Sequence, residues 1–255
     1  MKTVIYALGG GLGHISRAYK LSQFLQLHNL KNQVFIIASQ QKIPFFFLDK
    51  LNFVLINSNQ IANISSMIFS IIQNIKPDLW ITDVFPNGLF HELPLILNKF
   101  HFKKVVTVRI LKEEFCRIYS EILYDESWQV EWLPDYMNSF VEQLAIQNQC
   151  IRLPILIHQY KKVENKNWIL HTGSYEEVKK LKMQHQDFEM ISYLDNFPLP
   201  YFKNCRLVTA AGCNILQDLN YLENCHYIYP QNRKFDDQSL RAQNYHMLKK
   251  WFLNA

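Results

Sequence analysis

Glycine is scarce in this chain, and it is placed almost entirely behind apolar runs. Only 7 of the 255 residues are glycine, where average usage of about 7 % would give more than twice as many. Four of the seven stand directly behind Val4-Ile5-Tyr6-Ala7-Leu8, in Gly9-Gly10-Gly11-Leu12-Gly13-His14-Ile15-Ser16-Arg17. Gly88, Gly173 and Gly212 likewise follow apolar segments. This is the placement of a strand handing over to a helix, and in open α/β sheets those strand C-terminal junctions are where ligands are held. The chain is thereby committed to alternating strands and helices, with its chemistry at strand ends.

The apolar pattern keeps that rhythm. Lys2–Leu8 is expected as a buried strand and His14–Leu27 as its helix. Val34–Ala38 and Phe53–Ile56 are expected as strands. Ile61, Ile64, Met67, Ile68, Ile71, Ile72 and Ile75 recur at helical spacing, so 60–75 is expected as an amphipathic helix, stopped by Pro77. Leu79–Val84 is expected as a strand ending in Asp83, then a Pro86-Asn87-Gly88 turn and a helix from about Leu89, then a strand over Lys104–Ile110. Residues 111–150 break the rhythm; acidic and rich in Tyr and Trp, they are expected to be helical. Lys161–Asn167 is a charged polar run that reads as a linker. The rhythm then restarts: strands over Trp168–Thr172, Phe188–Tyr193, Leu207–Ala210 and Tyr227–Tyr229, helices over Ser174–Gln186, Asn214–Leu222 and Asp236–Phe252. The expected class is α/β, with mostly parallel sheets covered by helices on both faces. Two halves are expected, 1–160 and 161–255, facing a central cleft, the second of them reduced.

Charge is uneven. Residues 1–110 hold 11 Lys/Arg against 4 Asp/Glu, residues 111–160 hold 3 against 8, and residues 161–255 hold 13 against 10. A basic first half favours an anionic ligand or surface. No nucleic-acid motif accompanies it, so nucleic acid is not an expected partner. The five cysteines at 116, 150, 205, 213 and 225 are odd in number and include no CxxC pair, which reads as reduced thiols in a cytosolic protein. Neither a signal-peptide pattern nor a membrane-length apolar run occurs, and a cytoplasmic location is expected. Ile43-Pro44-Phe45-Phe46-Phe47-Leu48, with Lys42 and Lys50 nearby, reads first as a buried run. The competing reading is a peripheral contact with the inner face of a membrane.

The first glycine loop is not a dinucleotide site. Gly9-Gly10-Gly11-Leu12-Gly13-His14 puts His where a third glycine belongs, and the next strand ends Ser39-Gln40-Gln41, without an acidic residue for a ribose. It is not a P-loop either, having no Gly-Lys-Ser/Thr. What remains is a histidine in the first turn of a helix, where the positive helix end lowers its pKa and suits it to act as a neutral base. At the next junction, Asp83 and Glu92 are candidates to face the same cleft; their bland alternatives are a helix cap and a surface ion pair. In the second half, His171-Thr172-Gly173-Ser174 reads as an anion site or as an ordinary Ser cap. Ala210-Ala211-Gly212-Cys213-Asn214 is a similar turn, with Asp218 one helical turn further on. Asp236 and Asp237 read as a favourable first helical turn rather than a metal site, and no metal is expected.

Taken together, these stretches resemble the two-domain GT-B glycosyltransferases, in the family that includes the bacterial lipid-linked N-acetylglucosaminyltransferase of peptidoglycan synthesis. The carrying residues are Gly9, Gly11, Gly13, His14 and Arg17; Pro77, Asp78, Asp83, Pro86 and Gly88; Ala211, Gly212 and Asn214; and Arg233, Asp236, Asp237, Gln238, Arg241 and Ala242. The resemblance implies two Rossmann-like halves. It implies a first half that binds a glycan or lipid-linked acceptor, with His14 and Asp83 catalytic and Gly11, Gly13, Arg17 and Glu92 on the acceptor-side loops. It implies a second half that binds a UDP-linked sugar as co-substrate, through Gly173, Ser174, Gly212, Asn214, Asp218, Arg233, Asp237 and Gln238. Transfer would be inverting and metal-independent, with no cofactor. Three departures stand out: the short second half, Asp218 where relatives have Glu, and a single glycine at 171–174. They motivate a second reading, a non-catalytic nucleotide-sugar or glycan-binding subunit of a transferase complex. A nicotinamide-dependent oxidoreductase is a weaker third.

Overall fold

A computed structural model gives the fold. The residues it describes are 1–9, 12–28, 31–39, 43, 51–57, 62–116, 120–131, 133, 150–152, 162–164, 166–171, 175–192, 201–203, 205–219 and 225–253. The chain divides into two units, Met1–Leu156 and Ile157–Ala255. Gly11, Gly173, Ser174 and the run from Pro44 to Leu48 lie outside the described residues.

Among the described residues, the first unit is built on seven strands: β1 (Lys2–Tyr6), β2 (Gln33–Ser39), β3 (Asn52–Ile56), β4 (Leu79–Asp83), β5 (Lys103–Val108), β6 (Glu126–Gln129) and β7 (Cys150–Arg152). They form one sheet in the order β3-β2-β1-β4-β5-β6-β7, and every pairing is parallel. Four of the five β1 residues and all five of β4 are buried, as a parallel sheet covered on both faces requires. The helices are α1 (Leu12–His28), α2 (Ile64–Ile75), α3 (Pro94–Leu97) and α4 (Glu113–Cys116). Chain order reverses beside β1: the chain runs outward through β2 and β3, then returns to place β4 on the other side. The loops after β1 and β4 therefore diverge and leave a crevice between two strand C-termini, the position where open α/β sheets take ligands.

Two expectations for this unit fail. Residues 111–150 are not helical throughout, since β6 and β7 extend the sheet. β6 escapes notice because Glu126-Ser127-Trp128-Gln129 has no apolar run; its burial is confined to Ser127 and Trp128, and Trp128 packs edge-on to Phe24 of α1 at 6.1 Å. No helix starts at Leu89; residues 86–93 are turns and bends, and the helix begins at Pro94. Glu92 therefore precedes a helix rather than lying one turn inside it.

The second unit carries β8 (Lys162–Glu164), β9 (Trp168–His171), β10 (Glu189–Ser192), β11 (Tyr201–Lys203), β12 (Leu207–Ala210) and β13 (Cys225–Tyr229). Its helices are α5 (Tyr175–Gln184), α6 (Cys213–Leu219), α7 (Gln238–Gln243) and α8 (Tyr245–Leu253). The sheet order is β10-β9-β12-β13, all parallel, with the reversal between β9 and β12. The expected linker over 161–167 contains β8, which pairs in parallel with β11. The closing helix is interrupted at Asn244, which caps α7. Among the described residues, no helix is long and apolar enough to cross a membrane.

Trp80 is the largest fully buried side chain of the first core. It stacks between Tyr6 and Phe102, at 6.0 and 6.2 Å between ring centroids, and its indole N–H donates to Thr82 Oγ1 at 2.9 Å. Trp80→Ala is expected to cost about 3–5 kcal/mol through the cavity left behind, read as a lowered urea midpoint with an unchanged m-value.

Candidate active site at the β1 and β4 strand ends

The loop after β1 and the end of β4 meet around one carboxylate. Asp83 is fully buried and accepts four hydrogen bonds. Arg17 of α1 clamps it with two, Nε to Oδ1 at 2.8 Å and Nη2 to Oδ2 at 2.8 Å. Thr107 of β5 donates its hydroxyl to Oδ1 at 2.8 Å. His14 places Nδ1 2.7 Å from Oδ2. The sequence separations follow from topology. His14 and Arg17 share a face of α1, being three residues apart, and parallel pairing sets Asp83 beside Thr107.

Protonation follows from this environment. Burial alone would raise the Asp83 pKa, but the adjacent Arg17 guanidinium outweighs it, and with the bonds from His14 and Arg17 it holds the carboxyl far below the usual range. The His14 pKa is lowered as well, for a different reason. Its burial dominates, outweighing the bond to Asp83, and the cations Arg17 and Arg109 add to the lowering. Asp83 is thus charged, and its charge is largely neutralised by Arg17. His14 is neutral, with Nδ1–H donated to Asp83 and a lone pair left on Nε2.

Close packing fixes the ring. A Cβ on Gly9 would lie 2.3 Å from His14 Cδ2 and 2.4 Å from Nε2, so the imidazole occupies the space a side chain would take. Gly9 is itself held by Ser39, whose hydroxyl donates to its carbonyl at 3.0 Å. Phe85 lies against the other part of the site, 5.8 Å from the imidazole between centroids. Phe85 is delivered by a strained turn: Val84 has φ 73°, and Phe85 N–H donates to Asp83 O at 2.9 Å. A β-branched residue at positive φ is a genuine outlier, and such strain gathers at functional sites. Val84 N–H donates to Thr107 Oγ1 at 3.2 Å, which holds the turn.

Glu92 does not join this group. Its Oε2 accepts from Phe90 N–H at 2.8 Å, its Oε1 accepts a short bond from Tyr6 OH, and its carboxylate lies over Gly88 (φ 88°). Burial first, then Glu92, raises the Tyr6 pKa well above its ordinary value. Glu92 therefore shapes the 86–93 loop. The backbone of Gly13 lies within α1. Thr107, Val84, Arg109 and Tyr6 were not singled out from sequence. Thr107 had one available signal, a hydroxyl at the end of a strand expected to neighbour Asp83.

In the second unit, Gly212 and Asn214 lie at the end of β12, beside the reversal point of that sheet. Among the described residues, a Cβ on Gly212 would meet only Ile215 Cδ1, at 3.8 Å, so their packing does not require the glycine. Asp218 lies in α6. Asp237 caps α7, accepting from Leu240 N–H at 2.9 Å. Gln238 is buried, accepts from Gln231 N–H at 3.0 Å and donates to Asp236 Oδ2 at 3.1 Å. Arg233 donates to Glu177 Oε2 at 3.3 Å. Arg241 is fully buried and joins the Ala211 carbonyl and Asp236 Oδ1, each at 2.9 Å. Among the described residues, no cluster of His, Cys, Asp and Glu could hold a metal ion.

Solved structures match this architecture over nearly the whole chain. The glycotransferase of kitacinnamycin is 12 % identical over 97 % of this chain and 84 % of its own, with a TM-score of 0.57. A UGT transferase from Siraitia grosvenorii in complex with UDP is 10 % identical over 97 % and 83 %, with a TM-score of 0.54. MurG of Acinetobacter baumannii is 9 % identical over 96 % and 83 %, with a TM-score of 0.51. The chain has the GT-B fold. No protein-family model and no curated protein sequence matches it. In GT-B terms, the Asp83 cluster stands at the strand C-termini of the N-terminal Rossmann-like half, and Gly212 and Asn214 stand at the corresponding place in the C-terminal half.

Two outcomes follow. Asp83→Asn leaves the Arg17 guanidinium buried without its counter-charge and is expected to destabilise the protein by about 3–5 kcal/mol in urea unfolding. His14 has a folded pKa below its unfolded value of 6.5, so the unfolded state takes up the proton first. Its contribution is complete above that unfolded value and is lost as pH falls toward the folded one. Thermal midpoints from about pH 7.5 down to pH 5 should fall more steeply for the native chain than for His14→Gln.

Proposed function

We propose that the chain is a glycosyltransferase that moves a sugar from a UDP-linked donor to an acceptor hydroxyl, with inversion and without a metal ion. The observation that carries this reading is the neutral His14 imidazole, oriented by Asp83 at a sheet reversal point of a GT-B fold. Asp83 and Arg17 fix its tautomer, and Nε2 takes the acceptor proton as the hydroxyl oxygen attacks the anomeric carbon. The bond from that carbon to the diphosphate breaks in the same displacement, and the nucleoside diphosphate leaves. Backbone N–H groups at 212–214 take up the developing diphosphate charge. UDP is the proposed nucleotide because a solved structure of the same fold is a complex with UDP; a glycan or a lipid-linked hydroxyl is the proposed acceptor class.

A second reading has one specific observation in its favour. Arg233, Asp237 and Gln238 make bonds within the protein, so three groups assigned to the donor are engaged without it. A nucleotide-sugar-binding subunit that does not turn over would tolerate that.

Calorimetric titration with a panel of UDP-sugars, with UDP release and transfer measured on the same sample, tests both. For the transferase, His14→Ala is expected to lower kcat about 10²–10⁴-fold while UDP affinity stays within error of the native chain. The acidic limb of kcat/KM should lie below the ordinary histidine value, because His14 must be neutral. Binding by the native chain with no turnover across the panel would establish the second reading instead.

A further inference from the structure

The first unit has a cavity at the end of its sheet opposite to His14. It measures about 700 Å³, and Ile72, Lys76, Pro77, Phe100, His101 and Phe102 contribute to its wall. It opens where β4 and β5 begin, whereas Asp83 ends β4. The length of β4 places the two roughly 16 Å apart along the strand. A volume of this size suits a small organic molecule.

The wall combines aromatic and cationic surface. Phe100 and Phe102 stack at 5.5 Å with 16° between their planes, and Trp80 continues the stack behind Phe102. Lys104 holds these rings from outside, its ammonium 5.4 Å from the Phe102 centroid and donating to Phe100 O at 2.7 Å. Of the charged groups in the wall, two have partners: Asp78 Oδ2 accepts from the Lys2 backbone N–H at 2.7 Å, and Lys103 pairs with Glu126 at 2.5 Å. Among the described residues, the Lys76 ammonium and the His101 ring have none.

Lys76 is also in an unfavourable place for a side chain. It closes α2 in the left-handed conformation, at φ 52° and ψ 67°, with its N–H on Ile72 O. Glycine is the usual residue there, and asparagine the common substitute. A lysine at such a position is set against backbone preference, and its long cationic arm is what it offers in exchange.

We propose that this cavity is a binding site for a small planar aromatic molecule carrying one anionic group, with the ring against the Phe100 and Phe102 surface and the anion on Lys76 and His101. The proposal stands independently of the transferase reading. The test is isothermal titration of the full chain with 1-naphthyl phosphate as probe, alongside 1-naphthol and inorganic phosphate. The aryl phosphate is expected to bind at least about ten-fold more tightly than either fragment. Lys76→Gly removes the cation while suiting the left-handed backbone. It should therefore weaken the probe by about ten-fold or more without lowering the thermal midpoint. Excess UDP should not displace the probe. Absence of probe binding, equal affinity for inorganic phosphate, displacement by UDP, or unchanged affinity in Lys76→Gly would each overturn the proposal.

Discussion

The buried carboxylate of Asp83 is the interaction on which the first unit is organised. An ionised carboxyl without water is costly by many kcal/mol unless it is paired and hydrogen-bonded. Asp83 meets that demand by drawing on two other elements: Arg17 and His14 from α1, and Thr107 from β5. The same four bonds fix the angle at which α1 leaves the sheet and tie β4 to β5 at their C-terminal ends. Arg17 also decides the chemistry. Because it carries the counter-charge, His14 can remain an uncharged hydrogen-bond donor to Asp83 rather than becoming the other half of an ion pair.

The loop that follows is organised by a second acid with a different task. Glu92, Tyr6 and Gly88 interlock, and Tyr124 Oη lies 2.6 Å from Pro86 O and 2.8 Å from Thr82 Oγ1. Burial raises the Tyr124 pKa as well, so both phenols serve as permanent donors. Two acids nine residues apart in sequence thus do separate work, one beneath the histidine and one beneath the loop.

The alternation of strand and helix is legible in the sequence, because parallel strands are nearly continuous apolar runs and the glycines mark their ends; His14 and Asp83 stand out as separate candidates, but the bond between them appears only in the structure. β6 could not, because its interior positions are Ser127 and Trp128 within a polar tetrad, and only the neighbouring strand makes it a strand. The surroundings of Glu92 are not legible in the sequence, because turns and bends occupy residues 86–93 where a helix from about Leu89 is expected. Val84 gives no sign at all: its positive φ goes with the tight local turn closed by Phe85 N–H on Asp83 O, and the Thr107 contact that holds that turn is a tertiary fact. In the second unit, the helix-start reading of Asp237 was available from its position before an apolar periodic run. The burial of Arg241 on the Ala211 carbonyl was not, since charge alone suggests an exposed side chain.

Strand order has a further consequence for how the chain is made. β1 is flanked by β2 on one side and β4 on the other, and β4 follows it by roughly 70 residues, which at 5–20 residues per second is about 4–15 s of synthesis. Through that interval the hydrophobic edge of β1 that β4 will cover has no partner, and Asp83 has not been made to receive Arg17. The nascent chain therefore carries an open β-edge and an unmatched cation together. That is the kind of segment on which chaperones act, and mispairing at this edge is the natural route to aggregation.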